Sequence, residues 1–174
     1  MKHSIINRLS LVFLFSTFLI TGIFGANKIF TGVGNFSNPL RWTGLTLPLA
    51  GDNLTINGTC TVDNSVLTDN VAYGSIIIGG TGAFTLNWAV GGTNRLRVMN
   101  ISSNVATSNL DMTNGGTLII VGSWTQANLN FIPGTGTIER QGTITISAYT
   151  NFNNLTINTA GTITTGIGMT LSGN

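Results

Sequence analysis

Past residue 26, apolar side chains fall into short β-branched groups separated by turns rich in Gly, Asn and Thr, and no stretch shows helical spacing. One series runs through NLTIN at Leu54 and Ile56, SIIIG at Ile76 and Ile78, and LRVMN at Leu96 and Val98. It continues with TLIIVG at Leu118 and Ile120, TIER at Ile138, and a second NLTIN at Leu155 and Ile157. The second apolar positions of the first four groups, 56, 78, 98 and 120, advance by 22, 20 and 22 residues. A second series lies between them: CTVDNSV from Cys60, AFTLNW from Ala83, NLDMT from Asn109, ANLNF from Ala127 and TITIS from Thr143. Each unit of about 20 residues therefore carries about two short strands, and the chain is internally repetitive.

Two architectures use such a pattern. In a parallel solenoid each unit is one coil, and equivalent strands stack at ~4.8 Å. In an antiparallel β-sandwich the same strands pair as hairpins, with alternation but no two-strand period. The period selects the solenoid: an all-β, right-handed parallel β-helix of about five or six coils. Wholly apolar runs such as Ile76-Ile77-Ile78 and Leu118-Ile119-Ile120-Val121 are tolerated better where both faces are covered, or where neighbouring segments mask the outer side.

The start of the chain has a different character. Lys2 and Arg8 precede an uncharged, mostly apolar run from Leu9 to Phe24, and small residues follow at Gly25 and Ala26. This is the pattern of a secretory signal, and the run is shorter than the ~20 residues that span a bilayer. Residues 1–26 are expected to be a signal peptide, 27–52 an opening and capping segment, and 53–174 the solenoid repeats. The mature chain is then secreted, with no membrane span.

Removal of the signal changes the available chemistry. The single His, His3, leaves with it, and so do Lys2 and Arg8. Five basic residues (Lys28, Arg41, Arg95, Arg97, Arg140) then balance five acidic ones (Asp52, Asp63, Asp69, Asp111, Glu139). A near-zero net charge offers no electrostatic footprint for nucleic acid. Without His there is no Ser-His-Asp or Cys-His pair and no His-containing zinc site. The single Cys60 sits between Thr59 and Thr61, which alternate with Ile56 and Val62, and reads as a small buried apolar side chain, against a reactive thiol or an intermolecular disulfide.

Glycoside hydrolysis needs paired carboxylates. Asp52, Asp63 and Asp69 instead sit in GDN, VDN and TDN, where Asp caps backbone amides. Gly79-Gly80-Thr81-Gly82 has no Lys-Ser/Thr after it and is a turn. No metal or cofactor site is expected. Arg95 and Arg97, which flank Leu96 and point outward, are candidates for a ligand-binding face, with Glu139 two coils away on the same face. Trp88 and Trp124, with Tyr149, are the aromatic candidates for stacking on sugar rings, against the ordinary alternative of core packing. Trp42 precedes the first coil and is expected to cover its open end. Thr-x-Thr triplets at 59–61, 135–137, 143–145 and 162–164 raise an ice-binding face, but they do not fall once per coil.

The segment Trp42…Pro48…Gly51-Asp52-x-Leu54-x-Ile56-x-Gly58, followed by Val62-Asp63, resembles the opening of secreted bacterial β-helix surface proteins of the Bacteroidetes type. In these a G-x-W…P-x-x-G-D-x-V/L-x-I opening precedes repeating coils. It also resembles, more loosely, the eight-glycine extracellular domain. The resemblance implies a cell-surface adhesin-like role without catalysis, with surface glycans or other cell-surface proteins as partners. Such proteins are longer and often end in an outer-membrane sorting domain. Here the sequence stops at Leu171–Asn174, inside what reads as another coil, and a truncated chain is expected. A carbohydrate-binding or carbohydrate-processing module is the rival function, and an ice- or surface-binding solenoid the third.

Overall fold

A computed structural model describes residues 25–64, 72–125, 127–141, 144–146, 151–158 and 163–165. The expected signal segment, apart from Gly25 and Ala26, lies outside the described residues, as do Asp69, Tyr149 and the final LSGN.

Among the described residues twelve strands follow one another: β1 (Asn27–Asn35), β2 (Asn53–Val62), β3 (Tyr73–Ile78), β4 (Thr85–Trp88), β5 (Gly92–Ser103) and β6 (Ser108–Asp111). After them come β7 (Gly115–Ile120), β8 (Leu129–Ile132), β9 (Thr137–Arg140), β10 (Ile144–Ile146), β11 (Asn154–Ile157) and β12 (Ile163–Thr165). Their sequences explain them. In β2 every second residue is inward, giving Leu54, Ile56, Gly58, Cys60 and Val62, while Thr and Asn face out. Every pairing between these strands is parallel, each strand lying on one from the neighbouring coil. The chain is an all-β parallel solenoid, and the described residues make about four turns of it where five or six coils were expected.

The register resolves each turn into three sides. On the first, Tyr73 is followed by Val98, Ile120, Arg140 and Ile157, and beside them run Leu96, Leu118, Ile138 and Leu155. On the second, Leu54, Ile76, Ile101 and Trp124 stack. On the third, Cys60, Leu86, Leu110 and Phe131 stack. Two strands per unit were expected, and three sides are found, because β5 passes continuously from the first side to the second. Its inward residues change parity between Val98 and Ile101, across Met99 and Asn100.

This corrects the repeat alignment. Ile56 does lie on Ile78, and Val98 on Ile120, each 22 residues apart. Ile78, however, lies on Ser103, 25 residues on, while Val98 lies on Tyr73. The step from 78 to 98 thus moves one side short of a full turn. The two LTIN tetrapeptides likewise occupy different sides, Leu54 on the second and Leu155 on the first.

The first rung also begins earlier than residue 53. β1 pairs with β2 along its whole length, from Asn27 on Asn53 to Asn35 on Thr61. Both strands bend around a corner where Gly32 (φ 78°) lies against Gly58. A β-carbon at Gly58 would overlap the Gly32 carbonyl, so the stacked corner needs glycine.

Residues 36–46 then fold back over this rung through 3-10 turns at Pro39–Arg41 and Thr43–Leu45. Trp42 forms an antiparallel bridge with Phe30, and its indole Nε1 donates to the Phe36 carbonyl at 2.8 Å. Its ring meets Phe30 and Phe36 edge-on at 5.2 and 4.9 Å, and Phe36 reaches Tyr73 at 5.6 Å. Trp42 is buried in these contacts.

Candidate functional site

Outward positions on the first side form two neighbouring files. Arg95, Thr117 and Thr137 make one, and Arg97, Ile119 and Glu139 the other. Arg95 and Arg97 therefore share a face, with Glu139 two rungs above Arg97. Arg95 crosses the intervening rung diagonally, and its Nη2 donates to Glu139 Oε2 at 3.1 Å. Glu139 also accepts from Gln141 Nε2 at 2.6 Å and Asn158 Nδ2 at 3.3 Å. Ile119 points the same way as these charges yet is only 2% exposed. In register between Arg97 and Glu139, it is covered from outside, which is how the run Leu118-Ile119-Ile120 is accommodated.

Partial burial by itself would raise the Glu139 carboxyl. The hydrogen bonds from Gln141 and Asn158, and the nearby Arg95, outweigh it and hold the group below the ordinary carboxylate value.

The aromatic candidates do not join this face. Trp88 lies on the third side, 1% exposed, with its ring against Gly116. Trp124 is half-buried on the second side, edge-on to Phe131 at 5.1 Å and Phe152 at 5.8 Å. Each packs an apolar neighbour, and neither forms a platform beside the arginines.

The acids behave as caps. Asp52 accepts from the amides of Ala26 (2.7 Å) and Leu49 (2.8 Å), and Asp63 from the amide and hydroxyl of Ser37. Asp111 accepts from Thr113 N at 2.9 Å. Cys60 is fully buried, and burial, with Asp63 adding, pushes its thiol far up, so it is no nucleophile at neutral pH. Among the described residues no three of His, Cys, Asp and Glu come together as a metal site. Among them, too, no helix is long and apolar enough to cross a membrane.

Polar side chains mainly tie rung to rung. At the corner between the first and second sides, Asn53 Oδ1 accepts from Ser75 N at 2.9 Å, and Asn100 Oδ1 from Ser123 N (2.9 Å) and Oγ (2.8 Å). At another corner Asn57 Oδ1 accepts from Gly80 N at 2.7 Å, within the glycine-rich turn. On the third side Asn130 Nδ2 donates to Asn109 Oδ1 at 2.8 Å.

One buried charge lies outside the candidates read from the sequence. Arg140 is inward, on the first side, and 1% exposed. The signal was present: in TIER, Ile138 and Arg140 share parity, so an inward Ile138 makes Arg140 inward too.

The fold is that of a parallel β-solenoid. No family model, curated protein or solved structure matches the chain.

Proposed function

We propose that the chain is a non-catalytic β-solenoid of the cell surface, secreted through its N-terminal segment, with a structural or adhesive role. The observation that carries this reading is the use of its polar side chains. Asn53, Asn57, Asn100 and Asn109 accept hydrogen bonds from the next rung, and Asp52, Asp63 and Asp111 cap turns. Such groups stiffen a stack and leave its outward face as a polar, hydrogen-bonding sheet suited to contact with another surface. The face bearing Arg95, Arg97 and Glu139 is the docking surface we assign, with surface glycans or other cell-surface proteins as partners. The resemblance of the Trp42–Asp63 segment to bacterial surface β-helices supports the same role.

Beads coated with the purified protein test this reading. Beads should adhere to glycan- or protein-coated surfaces, and the double variant Arg95→Ala/Arg97→Ala should bind several-fold less. Soluble polysaccharides should show no release of new reducing or unsaturated ends. Chain cleavage would replace adhesion with a carbohydrate-processing activity, and thermal hysteresis would replace it with ice binding.

A further inference from the structure

We propose that the interior of the stack beside Arg140 is a binding site for a small oxyanion of the carboxylate or phosphate type. Arg140 lies in the inward file between Ile120 and Ile157, one rung below the last described rung of the first side. Its Nη2 donates to the Gly122 carbonyl at 2.7 Å, while Nε and Nη1 are buried without a hydrogen-bond partner. Two residues beyond Gly122, the indole Nε1 of Trp124 is also buried and unpartnered.

Every one of these unmet groups is a donor, which specifies an acceptor-rich ligand. Burial lowers the affinity of the guanidinium for its proton, but arginine stays charged at neutral pH, so the ligand is also anionic. The unpaired Nε–H and Nη1–H groups lie on different edges of the planar guanidinium, and each can donate a charge-assisted hydrogen bond to a carboxylate or phosphate oxygen. The described carboxylates are engaged elsewhere: Asp52, Asp63 and Asp111 on turns, and Glu139 on the outward face with Arg95. A buried guanidinium with two of its three nitrogens left without a hydrogen-bond partner is strongly disfavoured, and an anion held there lowers that cost.

Titration of the purified protein with sodium phosphate, and separately sodium acetate, at constant ionic strength in chloride tests the proposal. With ¹⁵N-labelled arginine, the Nε–H resonance of Arg140 should move saturably with one of these probes, and that of Arg41 should not. The thermal midpoint of the wild type should rise with the same probe, and that of Arg140→Met should stay flat. An equal rise in both proteins, or an Arg140 resonance that does not saturate with either probe, overturns the site. Should Arg140→Met fail to fold, the wild-type Nε–H titration, assigned through the backbone, decides alone.

Discussion

Gly116 sits under the indole of Trp88 with a φ of 86°, and a β-carbon there would overlap the ring at Cδ1. The glycine makes space for the largest side chain on the third side and adopts a backbone conformation other residues resist. Gly116→Ala should therefore destabilise the fold by roughly 2–4 kcal/mol, combining overpacking with left-handed strain. Urea denaturation measures this, and a smaller loss in Gly116→Ala/Trp88→Leu would trace the effect to the ring. Glu139 supplies a second prediction at the same scale. Its folded-state carboxyl binds protons less readily than it does in the unfolded chain, so its contribution is present above the unfolded pKa of about 4.3 and fades as pH falls through the lower folded value. Thermal midpoints between pH 6 and 3 should fall more steeply for the wild type than for Glu139→Gln. Cys60 gives a third outcome: a thiol reagent should leave it unmodified in the native protein and react on denaturation.

Among the elements, the rungs are held at their corners as well as by the ladders. Asn100 accepts two hydrogen bonds from Ser123, one rung on, at a corner without Gly or Pro. Asn100→Ala should cost about 1–3 kcal/mol, the scale of two net hydrogen bonds, while Asn154→Ala, exposed on the last described rung of the first side, should be near neutral. The same corner explains what the sequence concealed. Strands with strict alternation, such as β2, declare their inward residues, and so the solenoid and its period could be read. At Met99–Asn100 the parity changes without Gly or Pro, so LRVMNIS reads as one strand and the third side disappears into it. β1 was hidden for the opposite reason: Gly32 and Gly34 make it look like a loop, and Phe30 is its one large inward residue. Arg140 was hidden by its charge, although its spacing from Ile138 placed it inside. Trp88 and Trp124 were ambiguous because an aromatic residue serves a core and a sugar platform equally well, and only the register assigns them to sides away from the arginines.

For the whole molecule, one chain rule organises everything else: residues a full turn apart are neighbours, whatever lies between them in sequence. The turn is not constant. It is 26 residues from Lys28 to Leu54, 22 from Leu96 to Leu118, 20 from Leu118 to Ile138 and 17 from Ile138 to Leu155. A solenoid absorbs such variation at its corners because each rung touches only the rungs beside it. The aromatic cap of Trp42, Phe30 and Phe36 covers one end, and the face of Arg95, Arg97 and Glu139 exists only because stacking brings residues 44 apart into contact.

Cross-linking of a stacked pair tests this rule most directly. Thr85 lies on Asn109 one turn away, their side chains 3.3 Å apart, and parallel neighbours at this spacing are within disulfide reach. In a Cys60→Ala background, Thr85→Cys/Asn109→Cys should oxidise to an intramolecular disulfide in the native protein, and Ile77→Cys/Thr85→Cys should not. A bond between positions 77 and 85 with none between 85 and 109 would mean hairpin pairing, and would contradict the parallel stack.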